Sequence, residues 1–209
     1  DLMENGINVL AQQVAAREVD GEHWFSLGSN PDVTLDLLPL IAETRRQGRA
    51  VVTIAEVNRE MPFMYNDAMV RPVDFDLVVD HPRYDFRQFG APNMPVDNAD
   101  YLLGLQASVL IRDGGTLQIG IGCLGDAIVH FCRMRQQQNA RYQQLLADLR
   151  IPERYSELIG RIGGTGPFKQ GLYGSSEMFV NGFLSLYQDG ILKRKVYDSI
   201  PLQRLLNEG

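Results

Sequence analysis

Three glycines separate a β-like run from a helix-like run in Thr116-Leu117-Gln118-Ile119-Gly120-Ile121-Gly122-Cys123-Leu124-Gly125-Asp126-Ala127-Ile128-Val129-His130-Phe131. A strand, a tight turn and a helix form the repeating unit of α/β architectures. Glycines at such a turn let the backbone approach a ligand closely. Taken alone, the loop has several readings. Gly120 to Gly125 matches the dinucleotide fingerprint Gly-x-Gly-x-x-Gly. That fingerprint needs an acidic residue about 20 positions on, at the end of a second strand. Asp148 has the distance but lies in Gln143-Gln144-Leu145-Leu146-Ala147-Asp148-Leu149-Arg150, which reads as helix. No Gly-Lys-Ser/Thr follows, so a phosphate loop of the Walker type is absent. A ligand-free turn is a further reading, as is a thiol nucleophile at Cys123, although no histidine is near it in sequence.

The rest of the chain alternates in the same way. Leu2, Ile7, Leu10 and Val14 have helix-like spacing, which predicts a helix over residues 2–17. Trp24 to Leu27 reads as a short strand ended by Gly28-Ser29-Asn30-Pro31. A helix is predicted over 33–47, with Leu37, Leu38, Ile41 and Ala42 on one face and Gly48 as its stop. Ala50 to Val57 is almost continuously apolar, as in a strand buried on both faces. Phe75 to Val79 is another strand, closed by His81-Pro82. The loop-like stretch 83–97 is the candidate boundary between two domains, 1–90 and 91–209. Asp97 or Asn98 then caps a helix through Ile111, with Leu102, Leu105, Val109 and Leu110 inward. Helical stretches follow Gly125 and cover 140–149. Ile162-Gly163-Gly164-Thr165-Gly166-Pro167 is a turn cluster, read as a plain loop ahead of a second phosphate cradle. Phe179, Phe183, Leu186 and Tyr187 have helical spacing, ending at Gly190. The expected fold is α/β, with largely parallel sheets flanked by helices.

Of the 209 residues 44% are hydrophobic, enough for a substantial core. The net charge of −6 argues against a nucleic-acid binder that relies on bulk positive charge. Lys193-Arg194-Lys195 is the densest basic cluster and reads as a solvated surface turn. Cys123 and Cys132 are too few for a disulfide framework and lack zinc-site spacing. His23, His81 and His130 show no pairing or metal spacing, so no metal site is expected. No run approaches the roughly 18 apolar residues of a membrane span, and no secretory signal opens the chain. A cytoplasmic protein with reduced thiols, without a nucleic-acid or membrane partner, is the expectation.

Several segments, in order, resemble the acetyl-CoA hydrolase/transferase family, which includes 4-hydroxybutyrate and acetate CoA-transferases. Val57-Asn58-Arg59-Glu60-Met61-Pro62, then Phe75 to Val79, is similar to the family's strand, Asn-x-x-Met-Pro loop and next strand. Asp113-Gly114-Gly115-Thr116-Leu117-Gln118-Ile119-Gly120-Ile121-Gly122, with Asp126-Ala127, resembles its Asp-Gly-x-Thr-Leu-Gln-x-Gly-Ile-Gly segment. Ser176-Glu177-Met178-Phe179, with Asn181-Gly182 and Asp189-Gly190-Ile191, resembles its catalytic Thr-Glu-Met-Phe segment and following helix. The resemblance covers residues 30–198. Ser175-Ser176 stands where the family usually has His-Thr, and Cys123-Leu124-Gly125 where it has Ala-Ile-Pro. Gly122 and Glu177 are 55 positions apart, much farther than is usual, which suggests a helical insertion over about 133–166.

The resemblance implies a CoA-transferase-like fold, and a fragment spanning the end of a first α/β domain and the start of a second. It implies that Glu177 is the nucleophile, and that Gln118, Gly120, Ile121 and Gly122 contact coenzyme A. Acyl-CoA and a small carboxylic acid are then the substrates, with no permanently bound cofactor. Acyl-CoA hydrolysis at the same glutamate is the alternative, and a non-catalytic CoA-binding or oligomerisation module is another. Apolar helices and a divided active site are compatible, by analogy, with a homodimer.

Overall fold

The computed structural model describes every residue except Asp1, Asn30, 91–93, Glu177 and Gly209. It divides into two compact units, residues 1–90 and 91–209.

The first unit is built on strands β1 (Val9–Val19), β2 (Glu22–Ser26), β3 (Val52–Val57), β4 (Met69–Val70) and β5 (Leu77–Val79), with helix α1 (Thr34–Arg46). The sheet order is β4-β2-β1-β3-β5. β1 pairs in parallel with β3, and β3 with β5, while β2 is antiparallel to both β1 and β4. The predicted helix over 2–17 is therefore wrong, since most of that segment is the central strand. Leu10 and Val14 are four apart, a spacing that also keeps them on one face of a strand. Pairing on both edges of β1 outweighs the weak helical preference of its Ala and Gln residues. The turn after β1 explains the outcome. Asp20 and Gly21 have φ of 53° and 79°, and Val19 pairs with Glu22. A two-residue Asp-Gly link with both φ positive is a strong hairpin signal.

The other predicted elements of this unit form. β3 alternates exposed Val52 with buried Thr53, Ala55 and Val57, so it is fully buried on one face and not on both as expected. Its core joins Val14, Phe25, Leu27, Ala55, Val57, Val70 and Phe75, and Leu35 and Leu38 of α1 pack against it. The Asn-x-x-Met-Pro loop has a structural cause. Asn58 is fully buried, donates to Phe86 O at 2.9 Å, and accepts from Glu60 N at 3.0 Å and Phe86 N at 3.3 Å. A buried amide satisfied in this way pins two loops together.

The second unit contains α2 (Asn98–Ser108), β6 (Thr116–Gln118), α3 (Cys123–Gln137), α4 (Asn139–Asp148), α5 (Ile151–Ile162), β7 (Tyr173–Ser175), α6 (Asn181–Gln188) and α7 (Ile200–Glu208). Asp97 caps α2, accepting from Asp100 N at 2.7 Å. Leu105 and Val109 face the interior as expected, whereas Leu102 and Leu110 are exposed. α2 lies close against α3 because Gly104 has no side chain: a Cβ there would sit 2.6 Å from Ala127 Cβ. α6 stops where predicted, with Gly190 at φ 66° and Ile191 N donating to Leu186 O. One core joins Leu117, Ile119, Val129, Cys132, Phe168, Leu172, Phe183, Leu186 and Ile191. A second joins Leu105, Val109, Phe131, Tyr142, Leu146 and Ile151. Among the described residues no helix is long and apolar enough to cross a membrane.

β6 and β7 pair in parallel, with Thr116 opposite Tyr173, Leu117 opposite Gly174 and Gln118 opposite Ser175. Helices α3, α4 and α5 make the crossover that parallel pairing requires. Residues 133–166, expected to be an insertion, lie within this helical connection, which begins at Cys123. Asp113 clamps the entry to both strands: its carboxylate accepts from Lys169 N, Gln170 N and Gly171 N at 2.9, 3.0 and 2.9 Å. Burial acts to raise the Asp113 pKa, but these donors and the Gly114 N–H together hold it below the usual carboxylate value.

The amide of Asp113→Asn would turn an N–H toward donors that need an acceptor. We expect that variant to lose about 2 kcal/mol, seen as a fall in Tm of about 4–8 °C at neutral pH. Because the folded pKa is depressed, the wild-type advantage is complete above the ordinary Asp pKa. It is lost as pH falls through the folded value, so the two melting temperatures converge in acid. Melting curves across that window check both statements, and a pH-independent gap would contradict the clamp.

Candidate active site

The carboxyl ends of β6 and β7 bring together segments that are far apart in sequence. Gln118 ends β6 opposite Ser175, the last residue of β7. Ile119 N donates to Ser175 O at 3.3 Å, and Ser176 Oγ donates to Ile119 O at 2.7 Å and lies 2.6 Å from Met178 O. The residues on either side of position 177 are therefore stitched to the start of the glycine loop. Glu177 itself lies outside the described residues. The expected Thr of the family is replaced here by Ser176, whose hydroxyl makes this link. Ligands of α/β sheets characteristically bind at this end of parallel strands.

The loop is shaped to offer donors. Gly122 has φ 133° and sits at the start of α3. This φ is in the range that favours glycine. Gly125 packs tightly: a Cβ there would lie 3.0 Å from Gly120 O. By contrast, a Cβ on Gly120 or Gly122 would meet no described residue within 4 Å. Among the described residues, the backbone N–H groups from Gly120 to Gly125 donate no hydrogen bond, and the first is Asp126 N to Gly122 O at 3.2 Å. A row of unused donors at a helix start favours negative charge.

Of the four predicted contact residues, Gln118, Gly120 and Ile121 are exposed and Gly122 is half-buried. Met178 is half-buried, and Phe179 is mostly exposed with its ring 6.5 Å from that of Phe183. The competing readings of the loop fare differently. α3 leads into another helix, and Asp148 ends α4, accepting from Gln144 Nε2, so Asp148 stands at no strand end. The dinucleotide reading fails on that geometry. Cys123 is half-buried, with Sγ 3.5 Å from Pro95 O. His130 packs edge-on against Tyr101 and Phe131 instead. Burial pushes the Cys132 thiol up to about 12, so that thiol is inert at neutral pH. Among the described residues no group of three or more His, Cys, Asp and Glu could hold a metal.

The comparisons with known proteins agree with this arrangement. No protein-family model matches the sequence. A stretch of 89 residues is 33% identical to 4-hydroxybutyrate coenzyme A transferase of Clostridium kluyveri, covering 42% of this chain and 20% of that protein. RipA from Yersinia pestis superposes with a TM-score of 0.60 at 19% identity, over 90% of this chain and 33% of RipA. A 4-hydroxybutyrate CoA-transferase from Porphyromonas gingivalis superposes with a TM-score of 0.54 at 23% identity, over 91% of this chain and 37% of that one. The chain thus spans about a third of the solved structures it matches. The fold is that of these proteins: mixed α/β, with mostly parallel strands flanked by helices.

The loop geometry separates two glycine substitutions. Gly122→Ala forces a side chain into positive φ and is expected to cost about 1 kcal/mol, a Tm fall of about 2–4 °C. Gly120→Ala has free space and is expected to leave Tm unchanged. Thermal denaturation of both variants checks this, and the reverse order would contradict the loop conformation.

Proposed function

We propose that this chain carries the nucleophile segment of a CoA-transferase, with Glu177 attacking the thioester carbonyl of an acyl-CoA. The observation that carries the reading is the parallel pairing of β6 with β7. It brings the start of the glycine loop, whose N–H groups donate to no described residue, beside the residues that flank position 177. The sequence similarity to 4-hydroxybutyrate coenzyme A transferase supports CoA transfer as the general activity.

The chemistry then follows from a carboxylate nucleophile. Its attack expels CoA thiolate and leaves an acyl-glutamyl anhydride. The thiolate attacks the glutamyl carbonyl of that anhydride, releasing the first carboxylic acid as its carboxylate and leaving a glutamyl-CoA thioester. An acceptor carboxylate attacks the thioester carbonyl, expels the thiolate again and forms a new anhydride. The thiolate finally takes the new acyl group, and the glutamate carboxylate is restored. Each exchange is covalent catalysis that divides one hard step into easier ones. Each tetrahedral intermediate carries negative charge on oxygen, and a backbone donor aimed at it contributes about 3 kcal/mol in comparable sites. The unused N–H groups between Gly120 and Gly125 are the donors proposed for this role, and Gln118 is proposed to hold the arm of CoA. Water in place of the acceptor acid would give hydrolysis through the same anhydride or thioester.

Glu177→Ala is expected to lower exchange between an acyl-CoA and an added carboxylate by more than about a thousandfold. Glu177→Asp, one methylene shorter, is expected to be strongly impaired as well. Isotope exchange from labelled acetate into acyl-CoA measures this. Exchange near the wild-type rate in Glu177→Ala would sink the reading. Turnover by water alone, with no label entering acyl-CoA, would identify a hydrolase.

A further inference from the structure

A cavity of about 960 Å³ opens at the opposite, amino-terminal ends of β6 and β7. Its volume lies within the roughly 300–1,000 Å³ of small-molecule sites. Residues 112–116 line one side and the glycine cluster at 163–166 another, and 194–195 contribute further. Lys193-Arg194-Lys195 is thus more than a solvated turn, since Arg194 and Lys195 both line this space.

Four cationic side chains line the cavity: Arg112, Arg135, Arg194 and Lys195. The one lining carboxylate, Asp113, is already occupied by the backbone N–H groups of residues 169–171. Among the described residues none of the four cations forms an ion pair. This excess of positive charge sits in a chain of net charge −6.

Arg135 is the informative member. It is 1% exposed, with its guanidinium over the Phe168 ring at 4.1 Å. Nε donates to Gly166 O at 2.6 Å, and Nη1 donates to Ser108 O at 3.2 Å and Ile111 O at 2.6 Å. Nη2 donates no hydrogen bond to any described residue. Among the described residues no fully buried side-chain nitrogen or oxygen lacks a partner, so Nη2 is not sealed in the core, and Arg135 lines the cavity. Gly164 keeps that approach open, because a Cβ there would lie 3.3 Å from Nη2. Gly163 admits no side chain, since a Cβ would fall 1.9 Å from Val109 O. The hydrogen-bond partners of this buried guanidinium are all neutral carbonyls, and no carboxylate is bonded to it. A planar fork with a free nitrogen is suited to a phosphate oxygen.

We propose that this cavity binds a phosphate-bearing anion of nucleotide size, with Arg135 Nη2, Arg112, Arg194 and Lys195 as its charged contacts. The site lies across the sheet from the glycine loop and does not depend on the chemistry proposed for Glu177. Its ligand is either a free nucleotide or the nucleotide end of a coenzyme.

Isothermal titration with inorganic pyrophosphate and with ATP tests this on the whole chain. Arg112 and Lys195 are exposed, so Arg112→Gln combined with Lys195→Gln is expected to keep the wild-type melting temperature. We expect saturable binding of pyrophosphate or ATP that weakens about tenfold or more in that double variant. Arg46→Gln removes an exposed charge elsewhere and is expected to bind as wild type. If CoA displaces pyrophosphate, the coenzyme's nucleotide end is the ligand; if both bind together, a separate nucleotide is. No saturable binding of either probe, or equal affinity in the double variant, would overturn the proposal.

Discussion

Three residues of parallel pairing between β6 and β7 organise the second unit. The Thr116–Tyr173, Leu117–Gly174 and Gln118–Ser175 pairs close a long sequence separation with a short ladder. Such a ladder is weak alone, and its surroundings sustain it. Asp113 ties the entry of both strands, and Ser176 ties the exits. Leu117 and Ile119 insert into the core of the unit. Glycine is needed beside the ladder because Gly174 faces Phe183, whose ring carbon would lie 2.3 Å from an added Cβ. Once the strands are paired, the glycine loop and the segment around position 177 must share one end of the sheet.

The same pairing creates two chemically different ends. At the carboxyl end, the loop offers backbone donors beside Gln118, Ser175 and Ser176. At the amino end, the lining is cationic, and the buried guanidinium of Arg135 bridges three carbonyls of two separate segments. Helix α3 connects the two, since it begins at the loop and carries Arg135 in its last turn. One helix therefore contributes its amino terminus to one end of the sheet and a cation to the other.

Much of this was legible in the sequence, and the failures have physical causes. The strand-glycine-helix segment at 116–131, the Asp97 cap and the Gly190 stop depend on local backbone rules, and each forms as read. β1 was misread as helix because an i, i+4 spacing fits either structure and its two partner strands are remote in sequence. The positive-φ link at Asp20-Gly21 was the signal that could have corrected it. Periodicity alone points Leu102 and Leu110 inward, but the position of α3 chooses which face of α2 is covered. The cationic cavity was not legible, since Arg112, Arg135 and Arg194 are distant in sequence and meet only through the fold. The Asn-x-x-Met-Pro loop is visible in the sequence as a resemblance, while its cause, a buried Asn58 bridging two loops, exists only in the folded chain.

The central claim is that the segment after β7 supplies a carboxylate nucleophile to an acyl-CoA held at the glycine loop. Its most direct test is to treat the protein with an acyl-CoA, reduce it with borohydride and map the peptides by mass spectrometry. A glutamyl-CoA thioester at Glu177 would be reduced to the corresponding alcohol. The account predicts that product at position 177, formed only when acyl-CoA is present. An unmodified Glu177, or acylation trapped on Cys123 instead, would contradict it.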